Sequence, residues 1–182
     1  MNKFHGDLKG QGIAVAKDTL HAYLAHLEDA FLIRSLSVAS ESERRRMVNP
    51  RKIYPIDPGL IPVYDRSGKS NVGHALETCV LLELERRGAE IAYCRTASGF
   101  EVDFLARYHD GQEDLIQVCA DLDTAATKER EGRALLEAAE EYKRASLWLI
   151  TLEPQTARDL PEPVTVHSAV AWLLGPEHRR PA

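Results

Sequence analysis

The chain has 182 residues, 44% hydrophobic and 28% charged, with a formal net charge of −5. That length suits one domain or two small ones, and no apolar run is long enough to span a membrane. The N-terminus lacks the apolar core of a secretory signal, so a cytoplasmic protein is expected, and the acidic balance excludes one that coats nucleic acid with its whole surface.

The charge is unevenly spread. Residues 1–63 carry a net +2, and residues 64–182 a net −7. The basic excess comes from Arg44-Arg45-Arg46 and Arg51-Lys52, so any contact with nucleic acid must be local. Cys79, Cys94 and Cys119 stand far apart among apolar residues. They read as small core residues of a reduced protein, with neither zinc-ligand spacing nor a disulfide framework.

Residues 1–16 show no clear periodicity and are punctuated by Gly6, Gly10 and Gly12. Asp18 is a good N-cap, and Leu20, Tyr23, Leu24 and Leu27 recur at helical spacing, which predicts a helix over 19–28. A buried strand follows over 30–38, then an arginine-rich polar segment over 40–52. A second strand over 53–56 is closed by Asp57-Pro58-Gly59. Helix, strand, basic loop and strand in that order read as the end of a winged-helix unit, partial because too few residues precede it. Its wing, with Arg44, Arg45, Arg46, Arg51 and Lys52, is either a nucleic-acid-binding surface lying on a phosphate backbone or a solvated hairpin tip.

Pro58, Pro62 and Gly68 mark a linker between a unit at 1–63 and a second at 64–182. A helix over 71–87, ended by Gly88, carries the apolar stripe Val72, Leu76, Val80, Leu81, Leu82 and Leu84. Glu77 lies on that stripe with His74 one turn before it. A carboxylate there is paired, metal-bound, or at an edge where it reaches water. Three strands follow over 90–95, 100–108 and 115–119, joined by turns short enough for hairpins. In the second, alternation puts Glu101 and Asp103 on one face, about 7 Å apart, and Phe100, Val102 and Phe104 on the other. Such a pair holds a divalent cation or forms the polar face of a half-exposed strand. In the third, Gln117 shares a face with Cys119. A long helix over 124–142, a buried strand over 146–151, a loop over 154–163, an edge strand over 164–166 and a helical turn over 169–174 complete the chain. The tail over 176–182 reads as frayed.

The order helix, three meandering strands, helix, strand, with Glu77, Glu101, Asp103 and Gln117 at those places, resembles the PD-(D/E)XK nuclease superfamily. The resemblance implies an α/β (α+β) fold, a restriction-endonuclease-like mixed sheet flanked by helices. It makes Asp103 the central ligand of a magnesium ion, with Glu77 and Gln117 as its companions and Glu101 in support. Such a site would cleave phosphodiesters, which needs a hard cation, an activated water and charge neutralisation at the phosphate. The superfamily's lysine position is occupied here by Cys119. A thiol supplies no fixed positive charge, and Arg95 or Lys128 are the candidate substitutes.

A second resemblance covers most of the chain. Residues 23–33 (YLAHLEDAFLI), 52–60 (KIYPIDPGL), 73–77 (GHALE), 99–104 (GFEVDF) and 116–119 (IQVC) are similar to the uncharacterised C-terminal domain of predicted bacterial and archaeal AAA-type ATPases. That implies an AAA-type ATPase module as partner in longer relatives, since this chain has no phosphate-binding P-loop motif. The expected function is a nuclease-like, DNA-binding domain. The alternatives are an inactive interaction or docking module, and a regulatory subunit that binds DNA through its winged-helix piece alone.

Overall fold

A computed structural model describes residues 2–65, 71–157 and 159–175. Gly68 of the expected linker and the tail over 176–182 lie outside them.

The N-terminal part is more helical than its sequence pattern suggests. Residues read as irregular form α1 (Asn2–Gly10), whose following turn is tied back by His5 Nε2 at 3.0 Å from the Val15 carbonyl. Gly6 and Gly10 obscure the pattern because glycine is a poor helix former. In α2 (Lys17–Asp29) the N-cap is Ala16, without a side-chain cap. Asp18 lies in the first turn, where its charge favours the helix dipole rather than capping it.

The strand expected over 30–38 shrinks to β1 (Ile33–Leu36). Its first residues instead close α2: Ala30 and Leu32 donate to the carbonyls of His26 and Leu27, and Phe31 adopts φ +55. Val38 makes a single parallel bridge with Tyr93. The basic segment contains a short helix, α3 (Glu43–Val48), capped by the Ser42 hydroxyl, which accepts from Arg45 N at 3.3 Å. β2 (Lys52–Pro55) pairs antiparallel with β1, with Tyr54 opposite Arg34. A 3₁₀ turn (Pro58–Leu60) and α4 (Ile61–Tyr64) follow.

The rest follows the expected order closely. It consists of α5 (Val72–Arg86), β3 (Glu90–Arg95), β4 (Glu101–Arg107), β5 (Glu113–Val118), α6 (Ala125–Glu141), β6 (Ser146–Thr151), a 3₁₀ turn (Pro154–Ala157), β7 (Thr165–Ser168) and α7 (Ala169–Leu174). Gly88, at φ +74, ends the turn after α5 in a conformation that costs glycine nothing. The Thr124 hydroxyl caps α6, accepting from Thr127 N at 3.1 Å.

The fold is mixed α+β, with a five-stranded mixed sheet in sequential order β3-β4-β5-β6-β7. β3, β4 and β5 pair antiparallel; β5, β6 and β7 pair parallel. The helix between β5 and β6 supplies the crossover that a parallel pair requires. Leu76, Val80, Leu81 and Leu84 of α5 pack on one sheet face with Phe104, Ile116 and Ile150. Leu36, Val38 and Tyr54 join this same cluster from the N-terminal part of the chain. Ala134, Leu135 and Ala138 of α6 cover the other face with Val102, Leu105, Leu115 and Leu149. Among the described residues no helix is long and apolar enough to cross a membrane.

The expected alternation in β4 breaks at one point. Val102 lies in the cluster under α6, Phe104 in the cluster under α5, and Phe100 packs with the former. Ala92 pairs with Leu105 and Cys94 with Val102, so two steps along β3 oppose three along β4. This bulge inserts one extra residue and flips the later side chains to the other face. It falls at Asp103 and Phe104, beside the acids singled out by the sequence.

Candidate functional site

The site is built where β4 stops pairing with β5. Their ladder begins at Phe104 opposite Ile116, and Asp103 stands one residue beyond it. There the Asp103 carboxylate takes over a backbone role: Oδ2 accepts from Val118 N at 3.0 Å. Its own N–H donates to Gln117 Oε1 at 3.3 Å. Asp103 and Gln117 are both buried, and each serves the other's strand.

The remaining oxygen of Asp103 faces a cation. Lys52 Nζ lies 2.8 Å from Asp103 Oδ1 and 2.9 Å from Glu101 Oε1, bridging the two carboxylates. It also sits 5.7 Å from the Tyr93 ring centroid. Burial by itself lowers the Lys52 pKa, but Asp103, followed by Glu101, more than reverses this, and the net shift is upward. Lys52 therefore stays an ammonium throughout the ordinary pH range. It was expected on an exposed wing; instead its side chain turns inward with 20% exposure. The reason lies in β2, where Lys52 and Tyr54 are two residues apart and face the same way.

Tyr54 reaches the helix acid. Its hydroxyl donates to Glu77 Oε2 at 3.1 Å. Its ring stacks on His74 at 5.4 Å between centroids and lies 5.8 Å from Phe104. Burial and the neighbouring Glu77 push the Tyr54 pKa upward, keeping it a donor. Glu77 is pushed up to about 7, first by burial and then by Asp103, against the opposing pull of Lys52 and of the Tyr54 hydrogen bond. Burial, then Lys52, lowers the His74 pKa, so the imidazole is neutral. A carboxyl poised near neutrality beside a fixed ammonium can exchange a proton while the ammonium holds an anion.

Replacing Tyr54 by phenylalanine keeps the ring stack and removes only the hydroxyl. The variant is expected to lose roughly 1–2 kcal/mol of stability at pH 8, where ionised Glu77 loses its donor, and less at pH 5. Urea unfolding at both pH values measures this, and equal losses at both would sever the link to Glu77.

The oxygen donors Glu77, Glu101, Asp103 and Gln117 are of the kind magnesium takes. As arranged, they do not fit one. Among the described residues no three His, Cys, Asp or Glu side chains converge to hold a metal. Lys52 and the Val118 amide already engage both Asp103 oxygens, and the cation between the carboxylates is Lys52.

The other predicted residues lie elsewhere. Arg44, Arg45, Arg46 and Arg51 are exposed on and after α3. Arg95 is exposed at the end of β3, opposite Glu101 in register. Lys128 on α6 pairs with Asp159 at 3.7 Å. Neither Arg95 nor Lys128 provides the ammonium that meets Asp103; Lys52 does. Cys119 Sγ donates to the Asp121 carbonyl at 2.9 Å, and burial followed by Glu131 pushes its pKa up, so the thiol is neutral. Tyr54 and buried Glu131, whose carboxylate accepts from Arg130, are the neighbours that sequence reasoning missed. The Lys52-x-Tyr54 spacing was the available signal for the first.

One curated relative is the uncharacterized protein MJ1544 of Methanocaldococcus jannaschii, 33% identical over 139 residues. The match covers 75% of this chain but only 30% of MJ1544, so the chain corresponds to less than a third of that protein. No family model matches the chain. No solved structure matches it either.

Proposed function

We propose that this chain is a nuclease-like domain that acts on nucleic-acid phosphodiesters, with Lys52 supplying the positive charge that Cys119 cannot. The observation that carries this reading is the Lys52 ammonium, 2.8 Å from Asp103 and 2.9 Å from Glu101, in the site that also holds Glu77. Helix acid, second-strand Asp and third-strand Gln stand in the order of the PD-(D/E)XK pattern, and the mixed sheet supports that core. In this reading Lys52 neutralises charge developing on the phosphate oxygens, and Glu77 accepts the proton of the attacking water. The superfamily resemblance implies magnesium, which the side chains among the described residues, as arranged, do not hold. An AAA-type ATPase as partner module rests on the second resemblance, and MJ1544 has length beyond the match to accommodate one.

The test is cleavage of labelled single-stranded, duplex and branched DNA, with and without magnesium, by wild type and Asp103→Asn. Loss of cutting in the variant by at least about tenfold, with folding retained, is expected. Equal cutting by both proteins, or none by either, overturns the reading.

One observation favours the alternative, an inactive docking module. Both Asp103 oxygens are already engaged within the fold, Oδ1 by Lys52 and Oδ2 by the Val118 amide. A folded, DNA-binding protein that never cuts would establish that alternative.

A further inference from the structure

Exposed arginines gather on and beside α3: Arg44, Arg45 and Arg46 lie on it, and Arg95 at the end of β3 carries the carbonyl that Arg45 meets. Arg34, Arg86, Arg87, Arg107 and Arg130 each pair with a carboxylate. Among the described residues, Arg44, Arg45, Arg46, Arg51 and Arg95 have no carboxylate at ion-pair distance. Residues 40–52 carry five basic side chains against Glu41 and Glu43, a local positive excess in an acidic chain.

Their support is unusual too. α3 buries none of its residues; Met47 and Val48 are 79% and 73% exposed. A six-residue helix without a packed face gains little from burial to offset its ordering cost. It is held by polar ties. Ser42 caps it, and Arg46 Nη1 donates to the Ser40 carbonyl at 2.7 Å. Arg45 Nη2 donates to the Arg95 carbonyl at 3.4 Å. The Tyr93 hydroxyl donates to the Pro50 carbonyl at 2.6 Å. Those last two bonds fasten the α3–β2 segment along β3. At the same strand ends, Arg95 lies opposite Glu101, and Glu101 meets Lys52. The arginine group therefore adjoins the acidic site along a continuous path from α3 through Arg95 to Lys52.

We propose that Arg44, Arg45, Arg46 and Arg95 form a phosphate-binding track that leads a nucleic-acid strand to the Lys52–Asp103 site. The proposal rests on the nuclease-like reading for its destination, but its chemistry is separate. Guanidinium groups bind phosphate oxygens in a planar, two-pronged geometry, independent of base sequence. α3, anchored to the sheet, holds the spacing of Arg44, Arg45 and Arg46, and Arg95, opposite Glu101, joins track to site.

The experiment measures binding without divalent metal, by fluorescence anisotropy, on a labelled single strand of about 30 nucleotides and on the matching duplex, across a salt series. The variants are Arg44→Ala/Arg45→Ala/Arg46→Ala combined, Arg95→Ala, and a control at the exposed pair Lys143→Ala/Arg144→Ala. The triple variant should reduce the log–log salt slope by about two on whichever form binds, and weaken binding at least about tenfold at low salt. Arg95→Ala should reduce the slope by about one, and the control should leave it unchanged. All these residues are exposed, so melting temperatures should stay within a few degrees of wild type. An unchanged slope in the triple variant overturns the track, whatever the cleavage result. So does an equal reduction in the control, or no binding by wild type. Arginine-dependent binding without any cutting supports the track while removing the nuclease-like reading. Cutting that persists in the triple variant with wild-type affinity does the reverse.

Discussion

Lys52→Met is expected to lower the unfolding free energy by roughly 3 kcal/mol, because it strands a buried carboxylate. Asp103 is 8% exposed, and Lys52 holds the oxygen that the Val118 amide does not. Methionine is close in length to the lysine stem, so the loss reports charge more than volume. The double variant Lys52→Met/Asp103→Asn should recover more than half of that loss. Asparagine keeps an acceptor for Val118 N–H and removes the uncompensated charge. Urea denaturation of wild type, both single variants and the double gives the coupling directly. A Lys52→Met effect below about 0.5 kcal/mol would return Lys52 to a solvated wing, and the site would lose its cation.

The second large effect concerns pH. Glu77 is held near 7 in the fold against an ordinary 4.5. The folded protein therefore binds this proton more tightly than the unfolded chain. The resulting stabilisation is complete below about 4.5 and is lost as the pH rises through about 7. Glu77→Gln keeps an oxygen to accept the Tyr54 hydrogen bond but cannot ionise. It should match wild type near pH 4.5 and exceed it by about 1–2 kcal/mol at pH 8, allowing for partial solvent access. Unfolding curves at half-unit pH steps test this, and parallel pH profiles would reject the perturbed Glu77. If Glu77 also takes a proton during cleavage, the stabler variant should be the slower enzyme. That exchange of stability for activity is the pattern of a strained functional residue.

The helices and strands from α5 onward were legible because their apolar spacing is local. Leu76, Val80, Leu81 and Leu84 repeat at the helical period, and the run 146–151 is continuously apolar. Gly88 announced the end of α5. The acids were legible as residue types in an order: Glu77 on a helix, Asp103 and Gln117 on successive strands. The N-terminal part was less so. α1 is interrupted by glycines, α3 buries none of its residues, and β1 gives up its first residues to the turn that closes α2. None of these presents a clean apolar period, which is the signal sequence reading depends on.

The sequence by itself determined the order of helices and strands from α5 onward, the acidic residues of β4 and the basic excess at residues 44–52. Only the tertiary structure decided which cation meets those acids. Lys52 and Asp103 are 51 positions apart, and no local period relates them. Packing of the β1–β2 hairpin into the cluster under α5 brings Tyr54 to Glu77 and Lys52 to Asp103. The bulge in β4 had to be found the same way. A shift of one residue costs nothing in composition, yet it moves every later side chain to the opposite face. Charges buried at such a junction must find their partners across the fold, since leaving either one unpaired there would cost more than the contact itself contributes.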